Sequence, residues 1–303
     1  MGKTAFCFPG QLQESPVLKE DPLLRGDSHL KRWVEKVFHQ TSFDLFSFSL
    51  RGEESGYPLK LQIATYLLSM IHFYRLRSEG WVPDVLAEHS MGIYAALAAA
   101  EAITFEEGLW ITESIGRILE KEGTASKGAM ASIVGLPLEE IHHIKEELNG
   151  FHLSIANYNG SRHFVLSGEE EGIEKAMALA LSKGAISASR LTFHVALHSP
   201  KLSSLREEIA TLLKAIEFRS PKFPILNHWT VTPLHRGEIR EYLAQEVGQP
   251  VYWDRCVERL IQEGVTRFIE VGHGATLTKL IRWIDRGVET LSAGDLFKEG
   301  SRR

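Results

Sequence analysis

The chain has few of the features that would place it outside ordinary globular proteins. Its 303 residues include two cysteines, Cys7 and Cys256, which are too few for a disulfide framework and have no metal-ligand spacing. No apolar run approaches the roughly 18 residues of a membrane span, and the first residues do not have the pattern of a signal peptide. These absences favour a reducing, cytoplasmic setting without membrane contact.

An excess of positive charge is also missing. The chain has 34 lysines and arginines against 39 acidic residues, a formal net charge of −5 at pH 7. This balance argues against a general nucleic-acid binder. Hydrophobic residues make up 44% of the chain and charged residues 24%, values that are typical of a globular protein. A chain of this length can bury a large core in one large domain or two smaller ones.

The most informative stretch is an apolar segment, residues 85–87, that ends abruptly before a serine, Ser90. An alanine-rich helical pattern follows from Ile93. A strand, a tight turn with serine at its tip and a helix are typical of a nucleophile elbow. The helix N-terminus then presents its amides to an oxyanion formed there. Glu88 replaces the first glycine of the usual G-x-S-x-G signature, so Ser90 is either a nucleophile or a helix N-cap.

Short apolar strands alternate with amphipathic helices on both sides of a block with a different pattern. That block has the order βαββαβ of a ferredoxin-like unit, and the flanking strands indicate a parallel sheet covered on both faces. We therefore predict an α/β fold in which residues 1–126 and 194–303 form a large subdomain. Residues 127–193 form an inserted small subdomain, within which residues 157–160 are predicted to be a turn. The residues after 292 are expected to be a frayed polar tail.

Five stretches, taken in order, resemble the malonyl-CoA:acyl-carrier-protein transacylase family, which also includes the acyltransferase domains of polyketide synthases. They are Phe8-Pro9-Gly10-Gln11, His89-Ser90-Met91-Gly92, Gly128-Ala129-Met130, Leu197-His198-Ser199-Pro200 and Glu270-Val271-Gly272-His273-Gly274. They span nearly the whole chain, so the resemblance is specific. It implies an α/β-hydrolase-like parallel-sheet large subdomain with a ferredoxin-like insert, in agreement with the pattern of strands and helices.

The resemblance also implies a ping-pong mechanism in which a serine carries the acyl group between two thioesters. Ser90 is then the nucleophile, and His198 is the general base that a serine hydroxyl needs. The backbone amides of Gln11 and Met91 would hold the oxyanion. In the family a backbone carbonyl orients the base, and the resemblance places this carbonyl near Glu246.

The substrate pocket is expected to involve residues close to these groups. His89 adjoins the nucleophile and helps to build the pocket in the family, and Leu197 precedes the proposed base. His194 is the strongest rival base because it lies four residues before His198. Glu88 is expected to bring negative charge toward the pocket mouth, and His273 either lines the site or caps a turn.

One departure from the family concerns the acyl group. Malonyl-specific members have an arginine on the helix after the elbow helix, and its guanidinium pairs with the free carboxylate of malonate. In this chain the corresponding position is Ile115, whereas Arg117 lies about 200° further around the helix and should face away. A buried carboxylate without a partner costs several kcal/mol. We therefore expect malonyl to be disfavoured, unless a diverged malonyl enzyme draws its arginine from elsewhere.

The implied partners are acyl-CoA and an acyl carrier protein, with neither a bound cofactor nor a metal. Attack on acyl-Ser90 by a phosphopantetheine thiol would make the protein an S-acyltransferase. Attack by water would make it an acyl-carrier-protein hydrolase that removes unwanted acyl groups. A catalytically inactive carrier-binding module and a general esterase are the remaining alternatives. Carrier proteins are acidic, so the docking candidates are basic residues near the cleft: Lys121, Lys127, Arg190 and Lys201.

Overall fold

The computed structural model describes residues 2–11, 28–44 and 57–300, without the side chains of residues 28–30, 57 and 298–300. The strands are β1 (Lys3–Phe8), β2 (Val85–Glu88), β3 (Gly128–Val134), β4 (Ser154–Gly160), β5 (His163–Glu169), β6 (Ser187–Arg190), β7 (Ile225–Leu226), β8 (Val265–Glu270) and β9 (Glu289–Ser292). The helices are α1 (Ser28–Thr41), α2 (Tyr57–Ser78), α3 (Gly92–Ala99), α4 (Phe105–Ser126), α5 (Leu138–Glu147), α6 (Glu170–Ser182), α7 (Arg206–Leu212), α8 (Ile239–Glu246), α9 (Trp253–Gln262), α10 (Thr276–Ile284) and α11 (Ala293–Gly300).

The larger sheet has the strand order β7-β2-β1-β8-β9, and every pairing in it is parallel. The central strand β1 is buried from its second residue onward, as expected for a parallel sheet covered on both faces. Phe8 and Glu88, the last residues of β1 and β2, are paired in register. The loops that follow these two strands therefore leave the sheet side by side.

The smaller sheet has the order β4-β5-β3-β6, and all of its pairings are antiparallel. It has its own core, in which Ile133, Leu166 and Ile173 are completely buried. The predicted α/β fold with a small antiparallel unit is thus confirmed. The four strands lie within residues 127–193, and the exact subdomain boundary stays a prediction.

Two local predictions were wrong. Residues 157–160 belong to β4, because Asn157 and Tyr158 pair with Val165 and Phe164 of β5; this pairing outweighs the turn preference of an Asn- and Gly-rich segment. The end of the chain is helical over α11, where Phe297 is 2% exposed. The Phe297 ring anchors this last helix. Within the described ranges, no helix combines the length and the apolar character needed to cross a bilayer.

Candidate active site

Ser90 lies at the tip of the turn between β2 and α3 in a left-handed backbone conformation, with φ of 58°. Such a conformation is uncommon for a residue with a side chain and marks a strained turn. Gly92 makes this turn possible, because a Cβ atom at position 92 would lie 2.3 Å from the carbonyl oxygen of Phe8. This close approach explains why the S-x-G half of the elbow signature is present.

The structure brings Ser90 and His198 together across 108 residues of sequence. The Ser90 Oγ and the His198 Nε2 are 2.7 Å apart. The other ring nitrogen of His198, Nδ1, is 2.9 Å from the carbonyl oxygen of Gln249, and the backbone N–H of His198 donates to the carbonyl of Val247. Since a carbonyl can only accept, Nδ1 carries the proton and Nε2 is the acceptor for the serine hydroxyl.

His198 is held in the neutral form by its surroundings. It is 3% exposed, and its pKa is lowered to about 3, mainly by burial and secondarily by the nearby His228 ring. A neutral imidazole that accepts a hydrogen bond from a hydroxyl can take up the proton of that hydroxyl. At neutral pH the ring is therefore uncharged, and its Nε2 faces the serine hydroxyl.

Two further residues expected at this site can be placed. The carbonyl oxygen 2.9 Å from the His198 Nδ1 is that of Gln249, and the backbone carbonyl of Glu246 also favours a proton on the His198 ring. His194 is exposed and lines neither of the cavities beside Ser90. It is therefore not a rival to His198.

Gln11 and Met91, the proposed oxyanion donors, both border Ser90. Gln11 follows β1 and lines both cavities next to the serine. Met91 is the N-cap residue of α3, at a helix end where the first amides have no carbonyl partner within the helix. Their backbone donation to an oxyanion stays a prediction.

Ser90 and His198 lie between two cavities. The larger has a volume of about 200 Å³, and its wall includes His89, Asn159 and His273. The smaller has a volume of about 30 Å³, and its wall includes Gln62, Ile115 and Glu246. Leu197 contributes to both walls. The structure thus places His89, Leu197 and Ile115 at the site, with Ile115 on the opposite side from His89.

The small subdomain supplies part of the larger cavity through β4. Asn157 and Asn159 alternate along the strand and face the same side. The Asn159 Oδ1 lies 3.0 Å from the Nε2 of His89, and the Asn157 Nδ2 lies 3.4 Å from the same nitrogen. The sequence analysis missed both asparagines because it assigned residues 157–160 to a turn. The polar residues at alternate positions, 157 and 159, are the pattern that would have indicated a strand with one polar face.

Glu88 does not bring charge to the pocket mouth; it is completely buried. Its Oε2 lies 2.6 Å from the Nδ1 of His228, and its Oε1 accepts the backbone N–H of His228 and the hydroxyl of Tyr242. Burial alone would lower the pKa of His228, but the charge and hydrogen bond of Glu88, together with the Glu246 charge, raise it overall. Glu88 and His228 therefore form a buried ion pair.

Sequence reasoning missed His228, although one signal pointed to it. The residue follows β7, which neighbours β2 in the sheet, and the carboxyl ends of parallel strands meet at one edge. In the described part of the chain, His198, His228 and Glu246 are grouped with potential metal-ligand atoms within 4.8 Å of one another. Both nitrogens of His198 and the Nδ1 of His228 are already engaged, so a metal on His198 would have to displace either the Ser90 hydroxyl or the Gln249 carbonyl.

A serine on a strained strand-to-helix turn, in contact with a neutral imidazole, is the arrangement of α/β enzymes with a serine nucleophile. The chain belongs to the acyl transferase domain family, whose model matches residues 59–293. The malonyl CoA-acyl carrier protein transacylase of Escherichia coli (strain K12) is 31% identical over 306 residues, which cover 98% of this chain and 96% of the relative.

Solved structures show the same architecture. An acyl carrier protein S-malonyltransferase from Vibrio cholerae has a TM-score of 0.84 and 28% identity, covering 96% of both chains. A malonyl-transacylase solved in complex with its type II polyketide acyl-carrier protein has a TM-score of 0.87 and 27% identity, covering 96% of this chain and 94% of that one. The expected family is thus confirmed.

Proposed function

We propose that this acyltransferase forms an acyl ester on Ser90 and passes the acyl group to the phosphopantetheine thiol of an acyl carrier protein. The observation that carries this proposal is the 2.7 Å contact between the Ser90 Oγ and the His198 Nε2. The names of the relatives support the choice of substrates, since they act on malonyl-CoA and acyl carrier protein, and one is bound to its carrier. The reaction needs no bound cofactor.

The chemistry follows from the positions of four groups. The Ser90 Oγ attacks the thioester carbon while its proton moves to the Nε2 of His198. The amides of Gln11 and Met91 stabilise the resulting oxyanion. The carbon–sulfur bond then breaks, and His198 returns the proton to the departing thiol. A second thiol attacks the ester in the reverse sequence, which regenerates the serine. The larger cavity is the space for the thiol-bearing arm.

We further propose that the smaller cavity, the acyl chamber, is unsuited to malonyl. Ile115 is 1% exposed and lines this chamber, and among the described residues no lysine or arginine does so. Arg117 faces solvent, where its guanidinium is 2.7 Å from Glu113. A malonyl carboxylate in this space would lose its water and gain no cationic partner.

Replacing Ile115 by arginine should raise malonyl use relative to acetyl. A guanidinium at this position can pair bidentately with the malonyl carboxylate, so we expect the ratio of malonyl to acetyl kcat/KM to rise at least about tenfold. Rates of Ser90 acylation from the two CoA thioesters measure this ratio. Ile115→Met, which keeps the volume without adding charge, is the matched control. An unchanged ratio in Ile115→Arg would mean that position 115 does not determine acyl choice.

Acylation should persist in mild acid, because the pKa of His198 is about 3. A histidine with an ordinary pKa of about 6.5 would be mostly protonated at pH 5.5, whereas His198 stays neutral and remains a base. We expect acylation rates at pH 5.5 and 7.5 to agree within about threefold. Stopped-flow acylation between pH 5 and 8 tests this. The same series in Glu246→Gln removes a nearby carboxyl whose pKa is raised to about 7 by burial, and a fall near pH 6.5 that survives there would contradict the expectation.

The transferase and its alternatives can be separated in one experiment. Protein is mixed with acetyl-, butyryl- or malonyl-loaded carrier protein, and both the protein mass and the released acid are followed. We expect an acyl adduct that is discharged by fresh carrier thiol. Release of free acid faster than transfer would favour the hydrolase, and absence of any adduct would favour an inactive carrier-binding module.

Arg190 pairs with Glu170 and Glu174, so Lys121, Lys127 and Lys201 are the better candidates for docking of the acidic carrier protein.

A further inference from the structure

The acyl chamber is lined by polar side chains that have no hydrogen-bond partner among the described residues. Gln62, Tyr94 and Glu246 line it, and Glu246 is 2% exposed. Across the described ranges, no residue forms a hydrogen bond with any of these three side chains. Buried polar groups are nearly always hydrogen-bonded in folded proteins. A chamber wall that contains an unpartnered carboxylate is therefore suited to a ligand with hydrogen-bond donors.

The charge of Glu246 is not neutralised by its neighbours. A carboxylate oxygen of Glu246 and a ring nitrogen of His228 lie within 4.8 Å of each other, but the positive charge of His228 is already matched by Glu88 at 2.6 Å. When Glu246 is ionised, the charges of Glu88, His228 and Glu246 sum to −1; burial raises the pKa of Glu246 to about 7, so this carboxyl is partly ionised near neutral pH. This negative charge faces the chamber, because Glu246 is the member of the group that lines it.

We infer that the acyl chamber accepts a short acyl group that ends in an ammonium, such as glycyl or β-alanyl, and that Glu246 is the residue that selects it. This inference rests on the proposed acyl-Ser90 function. A cation in the chamber would act as the counterion of the Glu246 carboxylate, and a malonyl carboxylate would be repelled. Burial raises the pKa of Glu246 to about 7, a rise that Glu88 reinforces and His228 opposes, so an ammonium would also hold it in the ionised form.

The size of the chamber fits such a group. Its volume of about 30 Å³ is close to the space of one or two water molecules, so only a short acyl group can enter it. The nitrogen of an extended β-alanyl group lies about 3.8 Å from its carbonyl carbon, and a charge-assisted hydrogen bond adds about 2.8 Å. Glu246 and Ser90 line the same chamber, so we expect its carboxylate to lie within the reach of such a group.

The bonds made and broken are those of ordinary acyl transfer. The Ser90 Oγ displaces the thiol of a β-alanyl thioester, His198 moves the proton from the serine to that thiol, and the ammonium keeps all its protons. The amino group takes no part in the reaction and serves only to bind Glu246. Its contribution therefore appears in the choice between acyl groups.

Butyryl-CoA and β-alanyl-CoA provide a matched test, because a methyl group in one replaces the ammonium in the other. We expect kcat/KM for Ser90 acylation to be at least tenfold higher with β-alanyl-CoA, as followed by protein mass and released CoA. In Glu246→Gln the ratio of β-alanyl to butyryl should fall at least tenfold. Glu241→Gln is the control, since Glu241 is on the same helix but half exposed and paired with Arg206.

Each outcome has one meaning. Butyryl used as well as β-alanyl, or a ratio unchanged by Glu246→Gln in a protein of unaltered circular dichroism, would overturn the role of Glu246. Acetyl or butyryl adducts without a β-alanyl adduct would overturn it too, while leaving the acyl-serine function intact. If no thioester forms an adduct with the folded protein, the proposed function and this inference both fail.

Discussion

Ser90→Ala is expected to abolish the acyl adduct and to lower acyl transfer at least about 10⁴-fold. Alanine has no atom that can form the ester, and only the binding and oxyanion groups would remain to assist the reaction. His198→Ala should cause a loss of similar size, because the hydroxyl, 2.7 Å from Nε2 in the native protein, would lose its base. The double variant should be little worse than either single variant, since the two side chains act as one unit.

Intact protein mass after exposure to acyl-CoA, together with transfer to carrier protein, measures this result. Ser167→Ala is the control: Ser167 is buried in the small sheet, and its Oγ has no partner among the described residues. An adduct that persists in Ser90→Ala would locate the acyl group elsewhere. Activity of His198→Ala within tenfold of the native protein would mean that another group removes the proton.

The elbow was predictable because its determinants are local. An apolar strand, a turn residue at φ of 58° and a glycine two positions later are adjacent in sequence. Position 92 must be glycine because a Cβ atom there would collide with the Phe8 backbone. The sequence shows the glycine but not this contact. Similarly, α9 carries its own signal in its sequence, because its buried residues Trp253, Cys256, Val257 and Leu260 recur with a helical period.

The groups that complete the site depend on distant parts of the chain. Glu88 contacts His228 across 140 residues, so its charge could not be placed from its neighbours in sequence. The backbone carbonyls of Glu246 and Gln249 act on His198 only because the turn after α8 brings them beside its ring. Asn157 and Asn159 reach the larger cavity only because pairing with β5 keeps the segment extended. Such contacts are made by the folded chain, and single-sequence patterns do not contain them.

The buried ion pair links the nucleophile to the stability of the fold. Glu88 is two residues before Ser90, and its carboxylate accepts hydrogen bonds from His228 and Tyr242. Replacing either charged partner alone leaves the other buried without its counterion, which typically costs about 3–5 kcal/mol. The end of β2, from which Ser90 emerges, therefore depends on a residue that takes no direct part in acyl transfer.

His228→Leu is accordingly expected to lower the free energy of unfolding by about 3–5 kcal/mol and the midpoint of thermal unfolding by roughly 10 °C. The loss arises because the Glu88 carboxylate keeps only Tyr242 and one backbone N–H as donors. Replacing both charges, in Glu88→Leu with His228→Leu, should recover most of the loss, since well-packed apolar residues can replace a buried ion pair at little cost.

Thermal and urea unfolding of the single and double variants measure this coupling. His72→Leu is the matched control, because His72 is also buried, its Nδ1 has no partner in the described ranges, and its pKa is lowered to about 3, chiefly by burial. A neutral ring of this kind leaves no unpaired charge behind, so its replacement should cost far less than that of His228. Equal losses in the two variants would show that packing volume, rather than the Glu88 charge, determines the cost, and the buried pair would then not be what stabilises the end of β2.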